Sequence, residues 1–139
     1  MTGRQQLENG ASSAAAPART GMNTQTNIDY EHKARMIVSW LEDRQARDIV
    51  ALDVKAINSI TEGVVIASAT SVRHAQALAD TLMEKFSELD LEILGMEGYR
   101  PATWILIDCN DVVVHIFQED ERGFYNLEGL WSQAQPLTS

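Results

Sequence analysis

Two stretches of the 139-residue chain carry side chains that could do chemistry. In the first, IASATSVRH (66–74), an apolar run meets a Ser/Thr turn and a helix start bearing Arg73 and His74. Free amides at a helix N-terminus hold anions, so a phosphate could sit there. Nucleotidyl transfer would add carboxylates for Mg²⁺, and Asp53 and Asp108 both lie near the ends of strand-like runs. Against this, the turn contains no glycine to let a phosphate approach, and no Asp-x-Asp pair follows it. Ser71 then reads as a helix cap and Asp53 as a strand-end residue. In the second stretch, VVVHIFQEDERGFYNLEGLW (112–131), an apolar run ends in charge and then in Phe124, Tyr125 and Trp131. Such a mixture suits packing or the surface of another macromolecule.

Other chemistry is missing. His32, His74 and His115 show no metal-ligand spacing with Cys109, and no nucleophile elbow, P-loop or dinucleotide fingerprint occurs. The residues therefore name no catalytic group, no metal and no cofactor. The lone cysteine fits a reducing compartment, and no apolar run approaches the roughly 20 residues that cross a bilayer. The expected setting is cytoplasmic, with no membrane partner.

The elements that must position these residues follow from their periodicity. Residues 1–28 are poor in large apolar side chains and read as a disordered tail. A single domain follows over 29–139. Tyr30, Ala34, Ile37, Val38 and Leu41 recur at helical spacing over 29–45. DIVALDV (48–54) and VVIASA (64–69) read as buried strands. Ser71 caps a second helix whose Val72, Ala75, Leu78, Ala79, Leu82 and Phe86 form one stripe. LEILG (91–95) is expected to be a strand and 97–103 a loop. WILIDC and VVVHIF, split only by Asn110-Asp111, signal a hairpin. Leu127, Leu130 and Trp131 suggest a last helix docked on the sheet. The order α-β-β-α-β-β-β-α predicts an α/β sandwich with a mixed, roughly five-stranded sheet flanked by helices.

A two-residue turn gives the hairpin two unlike faces. Ile105, Ile107, Cys109, Val112, Val114 and Ile116 share one, which is core. Trp104, Leu106, Asp108, Val113, His115 and Phe117 share the other. There Trp104 falls opposite Phe117 and Asp108 reaches His115 on the diagonal. Aromatic anchors beside a few charges are typical of protein interfaces, and they are equally a floor for a returning segment.

Charge narrows the partner. The net charge is −9, and from Asp80 onward 12 acids face 3 bases, so that half carries the whole imbalance. Phosphate backbones need clustered Lys and Arg, so direct nucleic-acid binding is disfavoured and a basic protein surface is favoured.

Several blocks now stand together: Asp48-Ile-Val-Ala-Leu-Asp53-Val, Ser71-x-Arg73-His74, Glu97-Gly98, Trp104-Ile-Leu-Ile-Asp108, Val114-His115-Ile-Phe117, and Arg122-Gly-Phe-Tyr125-Asn-Leu127-Glu128-Gly-Leu130-Trp131. Over residues 30–132 their order and spacing resemble the ribosomal silencing factor family, also called RsfS or Iojap-like. The resemblance implies a nucleotidyltransferase-like fold without the catalytic motif, and no enzymatic activity. It also implies a translational repressor that binds the large ribosomal subunit through ribosomal protein number fourteen and keeps the small subunit from joining when nutrients are scarce. Plastid and mitochondrial relatives are linked to large-subunit assembly, which is an alternative role. Carried over by motif, Trp104 and Asp108 belong to the partner-binding surface, with Tyr125 as a further member; Glu97, His115 and Phe117 are added as candidates, the last two being either structural or in contact with the partner. A homodimer stays open as a second kind of partner. Ala69 and Asn110 stand where the family often has glycine, which weakens a phosphate site at the first and keeps a turn at the second. The rival reading is a nucleotide-binding enzyme that uses Ser71, Arg73, Asp53 and Asp108.

Overall fold

The computed structural model describes residues 28–57, 61–120 and 134–137. Helix α1 (Tyr30–Asp43) starts where Asp29 accepts a hydrogen bond from the His32 amide at 2.9 Å, and it buries Tyr30, Ala34, Ile37 and Leu41. Strand β1 (Arg47–Asp53) runs antiparallel to β2 (Gly63–Ala69), with a register shift between Arg47 and Val50. Asp48 has φ 48° at this shift, where β1 carries one residue more than β2. Every residue of β2 is buried, which explains its unbroken apolar run. Helix α2 (Val72–Glu88) is capped by Ser71, whose hydroxyl accepts from the His74 amide at 3.0 Å.

Strand β3 (Gly95–Glu97) leads to β4 (Trp104–Asp108) and β5 (Val112–Gln118), and β6 (Gln135–Pro136) closes the far edge. The sheet order is β3-β4-β5-β2-β1-β6. Among these described strands the one parallel pairing joins β2 to β5 across the α2 crossover. A mixed, open, six-stranded sheet flanked by helices is thus the architecture, one strand more than expected.

Two local expectations need correction. The strand placed at 91–95 lies at 95–97, because Leu91 drops into the core directly after α2, with its amide on the Phe86 carbonyl at 2.8 Å. The chain reaches the sheet only at Leu94, whose amide bonds the Asp108 carbonyl at 2.7 Å. Glu97, expected at a loop start, is therefore the last residue of an edge strand, paired with Leu106. The tail of residues 1–27, Tyr125 and the helix expected around Leu127–Trp131 fall outside the described residues.

The main core lies on one face of the sheet. Ala34, Ile37 and Leu41 of α1 and Leu78, Leu82 and Phe86 of α2 pack there against Val65, Ala67, Ile105, Ile107, Val114 and Ile116. Each fully buried Leu, Ile or Phe contributes roughly 1.5–3 kcal/mol, so this layer fixes the hairpin's register. Lys33 adds a polar clamp: its Nζ lies 2.6 Å from Asp111 and 3.2 Å from the Cys109 carbonyl, and so grips the hairpin turn. Asn110 in that turn has φ 79°.

Candidate binding face on the terminal hairpin

Trp104 pairs with Phe117, Leu106 with His115 and Asp108 with Val113, as a two-residue turn at Asn110-Asp111 requires. Paired residues share a face, so Trp104, Leu106, Asp108, Val113, His115 and Phe117 lie together, joined from β3 by Glu97. Exposure falls across this face. Glu97 at the edge is exposed, and Trp104, Leu106, Asp108 and Val113 are partly exposed. His115 is 8% exposed, and Phe117, which packs with Val54, Val64 and Ile66, is at 0%. Of the candidate contact residues, then, Glu97, Trp104 and Asp108 offer surface, while Phe117 is floor and His115 is nearly so.

The rings are ordered against one another. Trp104 stacks on Phe117 with centroids 5.2 Å apart and planes at 28°. His115 lies near-parallel to Phe117 at 6.3 Å and tilted to Trp104 at 5.9 Å. Trp104 Nε1–H donates to His115 Nδ1 at 3.0 Å. The neutral imidazole therefore carries its proton on Nε2. Burial pushes the His115 pKa down to about 4, so the ring is neutral near pH 7.

The expected Asp108–His115 diagonal contact is replaced by this one. Both partners stand diagonally from His115, but only the indole is long enough to reach it. Asp108 instead accepts the Asn110 amide at 2.9 Å and braces the turn.

The loop before Trp104 is held equally closely. Gly98 has φ +83°, and a Cβ there would collide with the Trp104 carbonyl. The Ala102 amide bonds the Gly98 carbonyl at 2.9 Å, and Gln118 Nε2 bonds the Ala102 carbonyl at 2.9 Å. The Glu97-Gly98 pair was visible in the sequence, but this close approach was not.

The residues considered for nucleotidyl transfer are not brought together. Asp53 and Asp108 lie at the same end of the sheet but three strands apart, on the order of 14 Å at roughly 4.8 Å per strand. Ser71 and Arg73 follow β2 at the opposite end, on the order of 20 Å away. Asp53 is occupied by the Tyr30 hydroxyl at 2.9 Å and the Lys55 amide at 3.0 Å. Beside Ser71, a polar cavity of about 190 Å³ is lined by Arg44, Gln45, Arg47, Thr70 and His74. His74 is a strut there: Nδ1 accepts the Thr70 amide at 3.0 Å and Nε2 lies 2.9 Å from the Arg44 carbonyl. Arg47 is paired with Glu119 at 3.1 Å. Among the described residues no group of three His, Cys, Asp or Glu side chains gathers to hold a metal. Burial pushes the Cys109 thiol up to about 12, so it is a packing residue.

Fold and face together define, among the described residues, an α/β protein that gathers aromatic and acidic side chains on one face of a mixed sheet. Comparison with known proteins supplies the family. Residues 27–139 match the model of the family described as ribosomal silencing factor during starvation. A ribosomal silencing factor of Halalkalibacterium halodurans is 42% identical over 100 residues, covering 72% of this chain and 86% of that protein. A mouse protein named for mitochondrial assembly of the ribosomal large subunit is 30% identical over 121 residues, covering 85% of this chain and 53% of its own. A crystal structure of a Chromobacterium violaceum protein superposes with TM-score 0.73 at 31% identity, covering 76% and 88% of the two chains. The chain belongs to the ribosomal silencing factor family.

Proposed function

We propose that this chain represses translation by binding the large ribosomal subunit through ribosomal protein number fourteen and sterically blocking the small subunit. The observation that carries the reading is Trp104, a partly exposed indole set beside Asp108 and Glu97 on a face whose β3, β4 and β5 ladder positions hold no lysine or arginine. An aromatic anchor flanked by carboxylates suits a basic protein patch. The net charge of −9 argues that direct rRNA contact is minor, since neutralising phosphates needs clustered bases. No described helix is long and apolar enough to cross a membrane, which accords with action in the cytoplasm. Binding here is occlusion, so the time the factor stays bound sets its effect.

The test is co-sedimentation of wild type, Trp104→Ala and Asp108→Lys with isolated large and small subunits, followed by light scattering of subunit joining. Wild type is expected on the large subunit alone and to suppress joining. Loss of the indole weakens binding by roughly 30-fold, the ~2 kcal/mol of a buried Trp anchor. Full binding by both folded variants would remove the face from the interface. The mouse relative's name favours a second reading, docking of the same face on an assembling subunit. Immature large subunits accumulating in cells without the protein, with joining unaffected, would select that reading.

A further inference from the structure

We propose that His115 is a positioning residue for Trp104: it holds the indole ready for the partner and does not touch the partner itself. This rests on the reading of Trp104 as the anchor.

Three observations converge. The first is the direction of the hydrogen bond. The indole has one polar atom, and its N–H is turned into the protein, onto His115 Nδ1 at 3.0 Å. The N–H is thus engaged within the protein and is not the group offered to a partner. The second is burial. At 8% exposure His115 offers almost no surface of its own, while the Trp104 it holds is partly exposed. The third is redundancy of restraint. Phe117, fully buried, stacks under the indole at 5.2 Å, and the Gly98 turn packs closely against the Trp104 carbonyl. A stacking floor fixes the ring's plane but allows it to slide and flip; a directional bond at its edge removes that freedom. Ordering the anchor before encounter saves the cost of immobilising a side chain on binding, which is worth between about 2-fold and 12-fold in affinity.

The ring must also be the acceptor, which sets the identity of the residue. Phe at 115 would keep an aromatic ring, somewhat larger, and lose the acceptor. Asn is smaller but places an oxygen the same two bonds from Cβ as Nδ1.

The experiment pairs a direct view of the bond with a binding cycle. In protein carrying ¹⁵N-labelled tryptophan, the Trp104 indole N–H resonance is assigned by its loss in Trp104→Phe. It is expected to move and to exchange faster with solvent in His115→Phe, and to return toward its native shift in His115→Asn. Affinity for isolated large subunits should fall about 2-fold to 12-fold in His115→Phe and recover in His115→Asn. In a Trp104→Phe background, His115→Phe should cost nothing further, because the two act as one unit. An unmoved indole resonance in His115→Phe overturns the proposal. So does an equal, additive loss in the Trp104→Phe background, which would make His115 a contact in its own right. If Trp104→Phe weakens binding while His115→Phe binds as wild type, positioning fails and the anchor stands. If Trp104→Phe binds as wild type, the anchor reading falls and takes this role with it, whatever the resonance shows.

Discussion

Protonating His115 strikes the aromatic face at its least exposed polar group. In the folded chain burial holds its pKa at about 4, against 6.5 for the free side chain. Between those values the unfolded chain binds the proton and the folded one does not, so stability rises with pH across this interval. The contribution is complete above pH 6.5 and is lost as pH falls toward 4. The interval is worth about 3 kcal/mol in all, and about 2 kcal/mol is already gone at pH 5. Structure gives the loss a second cause, since an imidazolium has no lone pair on Nδ1 to accept the Trp104 indole. The assay is urea unfolding of wild type and His115→Phe at intervals from pH 7.5 to 4.5. Contributions common to both proteins cancel in the difference. Wild type should lose about 2 kcal/mol more than the variant on going from pH 7 to pH 5. Parallel stability curves would refute the reasoning, because they would mean that His115 protonates as readily folded as unfolded.

Two further outcomes follow from the same face and its core. Gly98→Ala is expected to destabilise the fold by about 1–3 kcal/mol through its positive φ and the collision with the Trp104 carbonyl, and to weaken subunit binding as well. Urea midpoints and co-sedimentation check both effects, and a neutral substitution would show that the turn can relax. Cys109, buried and with its pKa pushed up to about 12, should stay unmodified by a disulfide-exchange reagent in native buffer and react fully in denaturant. Rapid native labelling at neutral pH would contradict its place in the core.

Much of this was legible because apolar periodicity and turn chemistry point to one register. Asn110-Asp111 between two strand-like runs set Cys109 against Val112, and the observed bond from the Cys109 amide to the Val112 carbonyl is 2.9 Å. All twelve face assignments of the hairpin follow from that single turn. What escaped was set by side-chain reach and chain path rather than by pattern. Trp104 and Asp108 stand on either diagonal of His115, and spacing alone does not choose between them; the length of the indole does. LEILG looks like a strand because Leu, Ile and Leu are apolar, yet Leu91 closes the turn that follows α2 and Leu94 is exposed. Periodicity over five residues cannot separate a helix end from a strand start. Strand β6 escaped as well, since two paired residues carry no period at all. Lys33 sits on the buried side of α1, where its charge hides the helix's apolar stripe and only the partner at Asp111 explains it.

That lysine ties the core to the candidate face. Its ammonium holds the Cys109 carbonyl and the Asp111 carboxylate from the helical side of the sheet, so the hairpin turn is gripped from below. The same turn decides which side chains of β4 and β5 look away from the helices. A slip of one residue would send Trp104, His115 and Phe117 into the layer now filled by Ile105, Val114 and Ile116, and would bring those aliphatics to the surface. Several Ile and Val side chains at roughly 1.5–3 kcal/mol each oppose that slip, far more than an aromatic pair at about 0.5–1.5 kcal/mol could enforce. The main core therefore sets the register, and the aromatic face inherits its geometry from packing on the other side of the sheet. Substituting Trp104 would change this surface and leave the core layer and the Lys33 clamp in place, whereas substituting Asp108 would also remove the acceptor that braces the hairpin turn.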